Sequence, residues 1–104
     1  MASSVIGVDI DGDTDLDIIA SAKSDNKIVL WINNGANPPV FTAITIDNDF
    51  YGAYDVDAED IDGDGLIDII GVATEGNKLA WWKNLGSNTF STVNIIDSSL
   101  DKAF

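Results

Sequence analysis

Cysteine, histidine and arginine are all missing from this chain of 104 residues. Without Cys or His, thiol nucleophiles, imidazole bases, disulfides and zinc sites built from nitrogen and sulfur ligands are excluded. The lack of Cys leaves the redox compartment open. Without Arg, the side chain that most often grips phosphates and reads base edges is gone, and five Lys stand against eighteen acidic residues. The resulting net charge of −13 repels phosphate backbones and anionic lipid, so neither nucleic acid nor a membrane surface is expected as a partner. No apolar run approaches the about 20 residues of a membrane-spanning helix. The opening Met1-Ala-Ser-Ser-Val lacks the basic start and apolar run of a secretion signal, so a secreted parent protein would already have lost it.

What is present is concentrated. Apolar residues make up 45% of the chain, enough to order the core of one small domain. Of the sixteen Asp, nine lie in two short stretches. Asp9 to Asp17 reads Asp-Ile-Asp-Gly-Asp-Thr-Asp-Leu-Asp, and Asp60 to Asp68 reads Asp-Ile-Asp-Gly-Asp-Gly-Leu-Ile-Asp. Each places carboxylates at positions 1, 3, 5 and 9 of a nine-residue turn. At 4 Å a pair of such charges repels by about 1 kcal/mol in water and about 4 kcal/mol at an effective dielectric of 20. A hard, oxygen-preferring cation among them removes that penalty. The alternative is a pair of solvated, metal-free Asx turns, against which the doubling of the whole array argues.

The two stretches start 51 residues apart, and the rest of the chain follows the same offset. Val5 matches Val56, Asn26-Lys27 matches Asn77-Lys78, Trp31 matches Trp82, Asn33 matches Asn84 and Gly35 matches Gly86. With the register shortened by two residues, Phe41-Thr-Ala-Ile-Thr-Ile matches Phe90-Ser-Thr-Val-Asn-Ile, and in the tail, at an offset of 50, Leu100, Ala103 and Phe104 fall on Phe50, Ala53 and Tyr54. The expected division is therefore 1–52 for the first unit and 53–104 for the second.

Within a unit the apolar runs are short and strand-like, separated by Gly, Asn, Asp and Pro, with no stretch of helical period. Strands are expected at Val5–Asp9, Asp17–Ala22, Lys27–Asn33 and Thr42–Ile46, and again at Asp55–Asp60, Asp68–Ala73, Lys78–Asn84 and Ser91–Ile96. The middle strands, such as Ile28-Val29-Leu30-Trp31 and Leu79-Ala80-Trp81-Trp82, are apolar on both faces, which implies sheets stacked face to face. An all-β fold of two four-stranded antiparallel units with a period near 50 describes the blades of a β-propeller. Two blades do not close a ring. Exposed apolar faces would have to be covered by further copies, so a closed homo-oligomer is expected, a trimer of six blades rather than a tetramer of eight.

The Asp loop, the Trp-bearing strand Leu-Ala-Trp-Trp-Lys-Asn-Leu-Gly and the following Asn-Thr-Phe together resemble the FG-GAP/VCBS repeats, the blades of integrin-α-like propellers. The resemblance covers essentially the whole chain twice. It implies Ca²⁺ in each loop, two per chain, held by side-chain oxygens at positions 1, 3, 5 and 9 and a main-chain carbonyl at position 7. Carried over, these are Asp9, Asp11, Asp13 and Asp17 with the carbonyl of Asp15, and Asp60, Asp62, Asp64 and Asp68 with the carbonyl of Leu66. The residues agree independently, since oxygen-only ligation with loose geometry suits Ca²⁺ better than Mg²⁺. An EF-hand would need Glu at position 12, where Ala20 and Gly71 stand. Position 6 is Thr14 in the first loop and Gly65 in the second. If that position takes positive φ, a β-branched residue is strained there, so the first site is expected to be weaker or slightly reshaped.

The resemblance also implies an extracellular or cell-surface setting and a non-enzymatic module that binds glycans or extracellular proteins, or acts as a scaffold. The competing reading is a fragment of a secreted polysaccharide-acting enzyme, which would have only carboxylates, Lys and Tyr to work with. Trp31, Trp81 and Trp82 are read as packing between units in preference to sugar-stacking platforms. Asp55, Asp57 and Glu59 alternate along one strand, and their counterparts Ser4, Ile6 and Val8 are not acidic, which favours a solvated face over a second cation site. The segment from Asp49 to Tyr54 is read as a linker packed by its own rings.

Overall fold

A computed structural model describes residues 2–74 and 77–98. The turn residues Glu75 and Gly76, and the tail matches at Leu100, Ala103 and Phe104, lie outside the described residues. The chain enters β1 (Ala2–Val8), crosses the first Asp loop into β2 (Asp17–Ala22), and passes a 3₁₀ turn (Lys23–Asp25) into β3 (Lys27–Asn33) and β4 (Phe41–Asp47). These four pair antiparallel in the order β1-β2-β3-β4. A second sheet repeats the plan with β5 (Ala53–Glu59), β6 (Asp68–Ala73), β7 (Lys78–Trp82) and, after a short ribbon of β8 (Asn84–Gly86) and β9 (Thr89–Phe90), β10 (Asn94–Asp97). Among the described residues there is no α-helix, and no helix long and apolar enough to cross a membrane.

The apolar, β-branched runs become the inner strands because Ile and Val fit a pleated surface covered on both sides. β2, β3 and β6 fall where the sequence places them. Between β2 and β3 the chain reverses through Asn26 at φ 57°, a left-handed conformation that Asn tolerates. The second unit departs from expectation at its third and fourth strands. The run from Lys78 breaks after Trp82, because the Ser91 hydroxyl accepts the Lys83 N–H (3.0 Å) and the Ser91 N–H returns to the Lys83 carbonyl (2.9 Å). The chain then turns through Ser87 and Asn88, both at positive φ as a two-residue type I′ hairpin requires, and the fourth strand starts at Asn94 instead of Ser91.

One face of each sheet closes on the other. Ile19, Ile28 and Leu30 from the first sheet and Val56, Ile69, Ala80 and Trp82 from the second form a single buried cluster. Each fully buried Ile or Leu contributes about 1.5–3 kcal/mol relative to exposure. Trp82 is completely buried; Phe50 meets it edge-on with ring centroids 5.0 Å apart, and its indole N–H donates to Asp47 at 3.1 Å. Gly71 lets the sheets approach: a Cβ there would lie 3.0 Å from the Trp82 ring and 3.1 Å from Ile28 Cδ1. The first strands of the units run side by side, with the Ser3 hydroxyl donating to the Ala53 carbonyl (2.9 Å) and the Ser4 hydroxyl to Asp55 (2.5 Å).

The opposite faces are uncovered and still apolar. Ile18, Val29 and Trp31 are only half-buried on the first sheet and Val5 is exposed; Ile70, Val72, Leu79 and Trp81 are half-buried on the second.

Candidate metal centres

Each Asp loop is folded by its own carboxylates. In the first, Asp9 Oδ1 accepts the N–H groups of Gly12 (3.0 Å) and Asp13 (3.1 Å), and Asp9 Oδ2 accepts that of Thr14 (2.8 Å). The second loop repeats this at Asp60 with Gly63 (2.9 Å), Asp64 (3.2 Å) and Gly65 (2.9 Å). The chain can wrap so tightly around one carboxylate because positions 4 and 6 take positive φ: 76° and 73° at Gly12 and Thr14, 75° and 88° at Gly63 and Gly65. Thr14 therefore occupies the left-handed region in the first loop. The hydrogen bonds of the two loops agree within a few tenths of an ångström, so Thr14 carries the strain without reshaping its loop.

The last carboxylate of each loop is a bracket. Asp17 is fully buried; its Oδ2 accepts the Ile10 N–H at 3.0 Å and its Oδ1 the Asn33 N–H at 2.8 Å. Asp68, also fully buried, holds the Ile61 N–H at 3.0 Å and the Asn84 N–H at 2.8 Å. The first bracket ties the start of its loop to the end of β3, and the second ties its loop to the first residue of β8, just past the break that ends β7. Asn33 and Asn84 reinforce it by donating from Nδ2 to the Leu16 carbonyl (3.0 Å) and the Ile67 carbonyl (2.9 Å).

These constraints gather four carboxylates per loop. Asp9, Asp11, Asp13 and Asp17 present ligand atoms all within 4.8 Å of one another, and so do Asp60, Asp62, Asp64 and Asp68. The donor set is oxygen only and rich in charge, which fits a hard divalent cation of Ca²⁺ type. The two position-7 residues stand apart by side chain. Asp15 lies against the backbone of Gly35, where a Cβ would collide with its carboxylate, and the Leu66 side chain is exposed. Neither side chain is among the four gathered in its loop, and the family resemblance implies the carbonyl of each as the ligand.

A family profile described as an FG-GAP-like repeat matches residues 9–71, more than half of the chain, from the first Asp of the first loop through the whole of the second. The chain belongs to the FG-GAP-like repeat family. No curated protein and no solved structure matches it.

The two loops of this FG-GAP-like protein differ in how their charge is balanced. In the second, the Lys83 ammonium bonds Asp62 and, at 2.7 Å, Asp64, and holds the Asp64 carboxyl below its ordinary range. The same two carboxylates push the Lys83 pKa upward. In the first loop the counterpart of Lys83 is Ile32, and there partial burial, a hydrogen bond to Asp13 and the charge of Asp17 push Asp11 up to about 6. Sequence reasoning missed Lys83, although the one visible signal was there: a cation at an offset of 51 from an apolar residue. It also missed the bracket formed with Asn33 and Asn84, whose donors are main-chain groups.

The remaining candidates resolve toward packing and solvation. Trp82 is core, whereas Trp31 and Trp81 sit on the two uncovered faces. Asp55, Asp57 and Glu59 are exposed, with the Asp55 carboxylate taken by Ser4 and by the Val56 N–H. The segment from Asp49 to Tyr54 is not packed by its own rings as expected: Phe50 is buried on Trp82 of the core, Tyr51 is exposed, and Tyr54, exposed as well, already belongs to β5.

Proposed function

We propose that this chain is a non-enzymatic, calcium-binding propeller module that closes a ring with further copies of itself and presents an extracellular surface to glycans or proteins. The observation that carries the calcium reading is the doubling: two sequence-distant loops gather the same four carboxylates with the same hydrogen bonds. Asp9, Asp11, Asp13 and Asp17 would hold one ion with the Asp15 carbonyl, and Asp60, Asp62, Asp64 and Asp68 the other with the Leu66 carbonyl. Calcium would supply the positive charge that lets each cluster stay ionised and so fix the corner between the first two strands.

Self-assembly is supported by the offset of 51 applied to the faces. The first sheet's covered residues Ile19, Ile28 and Leu30 correspond to Ile70, Leu79 and Trp81 on the uncovered face of the second. Conversely, Ile69, Ala80 and Trp82 correspond to Ile18, Val29 and Trp31 on the uncovered face of the first. The two open faces are therefore copies of the two that already pack together, and a head-to-tail contact between chains repeats the contact inside one. Such contacts close by cyclic symmetry, with three copies giving six blades and four giving eight. Membership in the FG-GAP-like repeat family supports the extracellular setting and suggests the glycan or protein ligand. Native mass spectrometry with and without calcium tests the reading: a trimer carrying two ions per chain is expected, and a metal-free single chain in millimolar calcium would overturn it.

A further inference from the structure

The second loop already contains a cation. Asp62 and Asp64 use their Oδ1 atoms to accept the loop's own N–H groups, from Asp64 at 3.4 Å and Leu66 at 2.9 Å. Their Oδ2 atoms are the ones Lys83 takes. Lys83 is aimed by its backbone, which Ser91 pins at both N–H and carbonyl where the strand breaks. The first loop makes the same Oδ1 bonds, from Asp13 at 3.4 Å and Asp15 at 2.9 Å, and has Ile32 in place of the lysine. One loop is thus partly neutralised from within and its twin is not.

We propose that Lys83 is a tethered counter-ion of the second loop, which holds the loop's carboxylates when calcium is absent and must leave them when calcium enters. This rests on the calcium reading above. It predicts two unequal sites, filled in order. The first loop, with nothing to displace, loads first, and the second loads at higher calcium. Thr14 does not reverse this order, because its strain is present in the folded chain before any ion arrives and so cancels from the binding step. The lysine, by contrast, is in place only before binding. Its presence also offsets part of the second loop's mutual repulsion before any ion arrives, which no lysine does in the first.

The test is calorimetric calcium titration of the full chain carrying Asp9→Asn, which leaves the second loop to report alone, with Lys83 present or replaced by Met. Lys83→Met should tighten the second site by roughly three- to tenfold, the size expected for displacing partly exposed ion pairs. In chelator the same substitution should lower the melting temperature, and in saturating calcium it should not. The converse variant, Ile32→Lys with Asp60→Asn, should weaken the first site. Calcium heat from the parent chain with unchanged affinity after Lys83→Met would overturn the lysine's role alone. No heat from the parent chain would overturn both readings.

Discussion

Replacing Asp68 by Asn keeps the shape of a fully buried side chain but turns one of its two accepting oxygens into a donor. Both oxygens are in use, on the Ile61 N–H at 3.0 Å and the Asn84 N–H at 2.8 Å, so either amide orientation sets an NH₂ against a backbone N–H. A hydrogen bond to a charged group contributes about 1.5–3 kcal/mol, so the Asn variant should lose about 2–3 kcal/mol, and Ala, which strands both donors, about 3–5 kcal/mol. Against a total stability of about 5–15 kcal/mol for a typical domain, either loss is large. Urea unfolding followed by tryptophan fluorescence reads it directly, with a lowered midpoint and an unchanged slope. Both donors and both acceptors of the bracket belong to the chain itself, so the loss should appear in chelator as well. On the calcium reading, the ion at 100 times its Kd would add about 2.7 kcal/mol per occupied site to the parent chain, which would widen the gap in calcium. Coincident midpoints for parent and Asp68→Asn in chelator would refute the bracket as a source of stability. Asp17→Asn should behave alike, since its oxygens hold Ile10 and Asn33 at the same distances.

Gly71→Ala should cost about 1–3 kcal/mol in thermal or urea unfolding, because its Cβ meets Trp82 at 3.0 Å and Ile28 at 3.1 Å in a closed interface. Thr14→Gly should stabilise the chain by about 1 kcal/mol, as a β-branched residue at φ 73° gives way to one without a Cβ; an unchanged or lower melting temperature would contradict the strain. Asp11 has a folded pKa of about 6 against an ordinary 3.8, so the stability linked to its proton is fully present below about 3.8 and is lost as pH rises through about 6. In chelator, Asp11→Asn should therefore gain on the parent in melting temperature as pH rises from about 4 to about 7, and a flat difference would count against the crowding.

The strands and both Asp clusters were legible because they are written in local chemistry: alternation, β-branched runs and carboxylates at fixed spacing. β2 and β6 even keep their sequence boundaries, since each opens on the bracket Asp that the motif itself marks. The break after Trp82 was not legible. It depends on Ser91 capturing Lys83 across eight residues, a contact that no periodicity announces. The same holds for Lys83, whose partners lie 19 and 21 residues away, and for the main-chain donors of Asn33 and Asn84. Packing of Trp82 was foreseen from the apolar run, but its place beneath Phe50 and Asp47 required the two sheets to be set against each other.

That setting links the loops to assembly. Asn84 of the second unit also donates to the Ile10 carbonyl at 3.4 Å, at the corner of the first loop, where Ile10 is only 3% exposed. Its counterpart Ile61, at the corner of the second loop, is 40% exposed. In the proposed ring, the residue matching Asn84 at that corner is Asn33 of the next chain. Calcium in the second loop would then order a corner that the neighbour grips, whereas calcium in the first orders one already covered within the chain. Coupling of this kind is reciprocal, so assembly should tighten calcium at the second loop as much as that ion tightens assembly. Asp60→Asn should accordingly dissociate the oligomer at protein concentrations where Asp9→Asn leaves it intact, read by sedimentation in millimolar calcium. Equal dissociation of the two variants would show that the corners contribute alike and that Ile61 gains nothing from a neighbour.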